Sequence, residues 1–429
     1  MTPLLLRHSL AASALALAVC GTAPTVAAQG RAASRPSVVI IHNVTVVDVA
    51  QGTLVPNQRI VIRGDTIAAV ESMTAPAPGD ASQTIDGAGL FAIPGLVDHH
   101  VHLGPGMDSA LVRAVRGGVT MVQAMAGDNR VAGNYARAVL AGELKGPEIA
   151  YASVMAGPDF FADPRFRSAG LGYAPGLAPW AHAVTAGTNA VMSVAGARGS
   201  GAEVLKLYAM MDAPLVARLT NEAHRQGMRV IAHGAVFPAR PSELVAAGVD
   251  ILTHVPYLSW EGAPELTAED SWNRRNGPYD TFPADAPAMR TLIQQMATRG
   301  TWLEPTLWVF HRDPADSVMQ QWGREVTRAA HRAGVPILAG TDGLIGGGAE
   351  TLPNIHEEMA LMVRAGLSPA DALATATINP ARVMGRGETH GLVAAGRVAD
   401  LLLLEANPLA DIRATRSIRH VVRRGEVVR

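Results

Sequence analysis

Lysine is nearly absent from this chain of 429 residues: of 36 basic residues only Lys145 and Lys206 are lysine, and the other 34 are arginine. A chain that uses arginine wherever a positive charge suffices needs a separate reason to keep a lysine inside an apolar strand. Cysteine is scarcer still. The single thiol, Cys20, lies within the first 28 residues, so no disulfide framework is expected and stability rests on core burial. Charge of one sign is lacking too. A formal net charge of −1 with both signs mixed excludes the electrostatic footprint of a nucleic-acid or anionic-membrane partner. No long apolar run follows the N-terminal segment, so no transmembrane segment is expected in the mature chain.

Residues 1–28 read as a signal peptide. Arg7 and His8 give a short basic start, residues 10–19 an apolar core too short to span a bilayer, and Val26-Ala27-Ala28 a small-residue cleavage site. Export to the periplasm or medium is the expectation. Residues 17–20 fit a lipoprotein box poorly, because valine precedes Cys20, so anchoring there is not expected.

The informative stretch is 91–104, Phe-Ala-Ile-Pro-Gly-Leu-Val-Asp-His-His-Val-His-Leu-Gly. Its apolar start reads as a buried strand and its end is polar at alternating positions. Residues two apart on a strand share a face, so His100 and His102 project into one space and supply half of a metal site. His99 points the other way and is left out. The alternative is two unrelated surface histidines, which would not explain the apolar run.

Strand-like and helix-like segments alternate after it, as a parallel sheet with crossover helices requires. Strands are expected at 118–123, 148–154, 203–207, 229–233, 250–254, 301–305 and 336–342, eight with the first. Helices are expected at 107–116, 214–226, 243–247, 289–299 and 327–333, with another opening at Ser368-Pro369. Three strands end in a potential ligand: His233, His254 and Asp342. The remaining histidines, His182, His224, His331 and His356 among them, are read as solvated or locally satisfied.

Lys206 closes the strand Ala-Glu-Val-Leu-Lys. A buried ammonium is costly and tends to lose its proton, which an arginine cannot do. The alternative is a lysine snorkelling from a strand end into solvent.

Ten of the 19 aromatic residues fall in two insertions, 156–182 and 256–285, after the third and sixth strands. Such loops form substrate pockets in barrels, and their aromatics suit an apolar or aromatic group on a small-molecule substrate. Phe161 and Trp260 are the expected contacts, with Arg165, Arg167, Arg274 and Arg275 able to fork onto a carboxylate. The alternative is a lid with its own small core. Tyr208, two residues past Lys206, shares its face and is a further substrate contact.

Pro-Gly-Leu-Val-Asp-x-His-x-His resembles the first-strand signature of the metal-dependent amidohydrolase superfamily. Gly118-Val-Thr, the fourth-strand lysine, His356-Glu357-Glu358 and residues 372–381 resemble its prolidase-like, exported-dipeptidase branch. The resemblance implies an α/β fold: a (β/α)8 TIM barrel at 93–385 and a small β-sandwich built from both chain ends, 37–92 and 386–429. It also implies two divalent metal ions, most readily zinc. His100, His102 and Asp342 would hold one, His233 and His254 the other, and a carboxylated Lys206 would bridge both. Asp342 would move the proton in hydrolysis of an amide bond, of a non-terminal peptide or N-acyl amino acid type. Lactone or phosphotriester hydrolysis on the same site, and a mononuclear deaminase, are the alternatives. The family's deaminases have a glutamate shortly after the fifth-strand histidine, where this chain reads His233-Gly-Ala-Val. A non-catalytic binding protein is opposed by the full ligand set. A homo-oligomer is compatible with the sequence.

Overall fold

The computed structural model describes residues 37–429 apart from 77, 273–276, 313–316 and 348–350, with the backbone alone at 165, 167, 168 and 272. Seven parallel strands follow one another around a barrel: Leu96–Val101, Val119–Ala124, Glu148–Ala156, Val204–Leu207, Arg229–His233, Ile251–Thr253 and Trp302–Glu304. The expected eighth strand is barely a ladder. Residues 336–342 bridge Leu303 through Ile337, and reach the first strand where the His99 N–H donates to Ala339 O (3.0 Å) and the Asp342 N–H to His100 O (2.8 Å). Those two bonds close the ring. Gly95 permits a close approach at its base, since a Cβ there would meet the Thr120 hydroxyl oxygen at 2.1 Å.

The helices pack around the barrel by pattern and capping. Ala213–Arg225 starts where the Asp212 side chain accepts the Leu215 N–H, with Pro214 in its first turn, and it buries Leu215, Val216, Leu219 and Ala223. Ser317–Arg332 begins earlier than the expected helix and turns Met319, Trp322, Val326 and Ala330 inward.

Both chain ends form one mixed sheet of eight strands, Val38–Asp48 to Phe91–Pro94 and Leu401–Leu404 to Glu426–Val427. The expected sandwich is this single sheet curling back on itself: the Ile67 N–H donates to Arg397 O and the Gly396 N–H to Ile67 O, each at 2.8 Å. Leu401–Leu404 shows why a run of four leucines suits the junction. Leu401 and Leu403 belong to the sheet's own core, whereas Leu402 and Leu404 join the barrel's outer core. A strand buried on both faces has no polar alternation. Among the described residues no helix is long and apolar enough to cross a membrane.

Candidate metal centre

The ends of the first and eighth strands bring His100, His102 and Asp342 together, with one ligand atom from each lying within 4.8 Å of the others. Asp342 Oδ1 is 2.8 Å from His102 Nε2 and 3.6 Å from His100 Nε2. His100 is fully buried, whereas the side chain of His102 is 44% exposed, so the cluster opens to solvent on that side. Burial would raise the Asp342 carboxyl, but the hydrogen bond and charge of His102, with His254 and Lys206, hold it below the ordinary carboxylate range. Burial first, then Lys206 and the neighbouring imidazoles, hold His100 well below its ordinary value. His100 is therefore neutral, the form that binds metal.

Asp342 has a left-handed backbone (φ 56°), as do His254 (φ 66°) and Thr306 (φ 51°) at the ends of the sixth and seventh strands. Each such residue costs about 1–3 kcal/mol and persists where its surroundings hold it. The surroundings are visible here. Asp98, buried inside the barrel, accepts from the Thr341 hydroxyl (2.6 Å), the Thr341 N–H (3.0 Å) and the His100 N–H (3.2 Å). Desolvation pushes its carboxyl up to about 7.

Sequence reasoning passed over Glu304, which ends the seventh strand as His233 and His254 end theirs. Its carboxylate is fully buried and lies 2.6 Å from His99 Nδ1 through one oxygen and 2.6 Å from His100 Nδ1 through the other. His99, set aside in the sequence, is thus buried and paired behind the cluster. The Thr306 hydroxyl lies 2.8 Å from both Pro305 O and His254 Nδ1, and so ties the back of that ring to the turn. Glu358 holds the same turn by accepting the N–H groups of Leu307 (2.9 Å) and Trp308 (2.6 Å), and burial raises its carboxyl to about 8.

His233 and His254 stand edge to face with ring centroids 4.6 Å apart, and His254 is 4.8 Å from His100. Lys206 is buried at the end of the fourth strand and donates from Nζ to the Thr253 hydroxyl at 2.8 Å. Burial lowers its ammonium to about 8, against the opposing pull of Glu304 and Asp342. Lys206 therefore does not snorkel. Nor is His356 solvated or satisfied locally: it is buried between Thr415 (3.0 Å) and Gly117 O (2.9 Å), and desolvation lowers it to about 4.

The aromatic side chains nearest the centre are not all the expected ones. Tyr208 lies tilted against His233 at 3.9 Å, backed by Phe160 at 4.3 Å; Tyr257 lies 5.2 Å from His233, and Phe310 lies 5.9 Å from His254. Phe161 is buried in a cluster with Phe160, Ala178 and Trp180 that forms the first insertion's own core. Trp260 is edge-on to Phe237 at 5.3 Å in a second such cluster. The side chains of Arg165 and Arg167, and Arg274 and Arg275 altogether, lie outside the described residues.

Histidine and carboxylate ligands on one face of strand ends, with imidazole tautomers set from behind, are a donor set that suits a divalent cation. The amidohydrolase family model matches residues 91–428. This chain belongs to the amidohydrolase family. An imidazolonepropionase from Shouchella clausii is 31% identical over 148 residues, which span 33% of this chain and 30% of that protein. A crystal structure of a Xaa-Pro dipeptidase with bound methionine superposes with a TM-score of 0.70 at 21% identity, covering 91% of this amidohydrolase and 99% of that chain. A putative prolidase from Bifidobacterium longum superposes at 0.67 with 25% identity, covering 92% and 95% of the two chains. The family match and the grouping of His100, His102 and Asp342 together make this cluster the candidate metal site.

Proposed function

We propose that this amidohydrolase is an exported enzyme that cleaves an amide C–N bond in a small molecule carrying an apolar or aromatic group, using two divalent ions bridged by a carboxylated Lys206. The observation that carries the reading is Lys206 itself, the one lysine in the barrel core, buried at a strand end within electrostatic reach of His100, Glu304 and Asp342. With its ammonium lowered to about 8, a usable fraction is free amine at neutral pH. Addition of that amine to carbon dioxide forms an N–C bond and releases one proton, leaving a carbamate with two oxygens to offer. His100, His102 and Asp342 would hold one ion, and His233 and His254 the other. Zinc suits these imidazole and carboxylate donors best. Cations bound there acidify water and polarise a carbonyl oxygen.

The chain's own groups do the rest. Asp342, already in hydrogen-bond contact with His102, takes the proton of the attacking water at Oδ1 or Oδ2 and delivers it to the leaving nitrogen. Tyr208, Tyr257 and Phe310 line the His233–His254 side and receive the apolar group, while Phe161 and Trp260 are buried in the clusters packed behind Tyr208 and Tyr257. Neighbours named for peptide-bond substrates, the Xaa-Pro dipeptidase and the putative prolidase, support the amide class.

A single-ion site is the competing reading. It is favoured by the tight grouping of only three ligands among the described residues and by the contact between Lys206 and Thr253. Metal analysis separates the two. Lys206→Ala is expected to lose about half of the bound metal and nearly all activity, with partial rescue by short carboxylic acids. Full activity in Lys206→Arg, which cannot form a carbamate, would sink the two-ion reading.

A further inference from the structure

We propose that Glu304 is a positioning residue that fixes the tautomer and aim of His100 by accepting the Nδ1–H groups of His99 and His100 on the two oxygens of one carboxylate. The inference rests on the metal-hydrolase reading above and concerns a residue outside its ligand set. Both contacts are 2.6 Å, and the carboxylate has no solvent exposure, so no bulk water can replace either bond. With Nδ1 protonated and donating backwards, the lone pair of His100 is on Nε2, the atom that faces Asp342 Oδ1 at 3.6 Å.

The two-fold contact is what makes the aim rigid. A carboxylate held by one imidazole can swing about its own bond, whereas a second imidazole on the other oxygen prevents that. His99 supplies it, and His99 is itself tied to the eighth strand through its N–H to Ala339 O. Space for the arrangement comes from Gly340, where a Cβ would approach Glu304 Oε1 at 2.8 Å and His100 Cβ at 2.6 Å. A residue present only to fill the barrel would be apolar. A glutamine would offer one acceptor and one donor to two donors, so one imidazole must give up its bond or turn to the other tautomer.

Imidazole 15N spectra of the metal-free parent are expected to show His100 as the Nδ1–H tautomer; the Nε2–H form there overturns the proposal without any variant. Glu304→Gln is expected to weaken divalent-cation binding about 10- to 100-fold, read by chelator competition, and to change the His100 tautomer. Glu304→Asp, which keeps two acceptors, is expected to recover part of that loss. A lower Tm for Glu304→Gln with parental affinity and an unchanged tautomer would mark a structural role alone and overturn it. A parent that binds no divalent cation overturns the hydrolase reading instead, and the tautomer result then stands apart from it.

Discussion

The two ends of the same barrel strands handle ionisable groups in opposite ways. At the N-terminal end, Arg386 joins Glu148 (2.8 Å) at the start of the third strand to Glu203 (2.9 Å) just before the fourth. One guanidinium there serves two carboxylates within the chain. At the C-terminal end, like groups converge: His100, His102, His233 and His254 stand in a chain of ring contacts of 5.6, 4.8 and 4.6 Å. Each contact would be repulsive between imidazolium ions, and the backbone at His254, Thr306 and Asp342 is held in the left-handed region. One end is complete in itself. The other gathers groups of one kind at a barrel mouth, and such clusters mark functional sites.

The sharpest way to break this comparison is at Asp342. Asp342→Asn keeps an oxygen ligand but removes the base, so turnover should fall about 10³-fold while metal content falls far less and Tm hardly moves. Parallel measurement of kcat and bound metal decides it. A drop in turnover only in proportion to lost metal would mean that Asp342 is a ligand and moves no proton.

The opposite pattern is expected at the other end. Arg386→Met leaves Glu148 and Glu203 facing each other and should cost about 2–3 kcal/mol of stability, with kcat/KM unchanged for folded protein. Denaturant unfolding and steady-state kinetics on one preparation test this. Loss of kcat/KM without loss of stability would contradict a purely structural base.

A smaller effect sharpens the description of the open end. Phe310→Ala should lower kcat/KM for bulky apolar substrates about 10-fold relative to small analogues, the discrimination expected of one hydrophobic contact. Phe161→Ala should reduce both activities alike, because its side chain is buried in the loop's own cluster. If the ratio of specificity constants shifted in Phe161→Ala and not in Phe310→Ala, the substrate would bind on the other side of Tyr208.

Part of the candidate site, the grouping of His100, His102 and Asp342, was legible because strand periodicity is local. Alternation places His100 beside His102, and an apolar run that stops at a histidine or aspartate announces a ligand at a barrel mouth. Glu304 carried the same signal, an acid at the end of the run Trp302-Leu303-Glu304, and could have been read as a strand-end ligand. Its actual role could not be read. Whether an acid at a strand end faces the metal or stands behind a histidine depends on a contact across 204 residues of chain. The aromatics divide likewise: composition located the loops, but whether Phe161 or Phe310 faces the histidines is decided by packing.

Local patterns sufficed for the order of the barrel strands, the chemical type of each strand-end group and the resemblance to the family, because these follow from nearest-neighbour periodicity and short motifs, whereas the helices Asn129–Leu140 and Ala190–Gly199 went unread. It took the folded chain to show that Glu304 stands behind His99 and His100, that His99 and His356 are buried partners and not surface groups, and that the terminal strands form one curled sheet. The reason is physical. Periodicity along a strand sets which way a side chain points, but the acceptor it meets there comes from a distant segment, brought close when the barrel closes between Ala339 and His99.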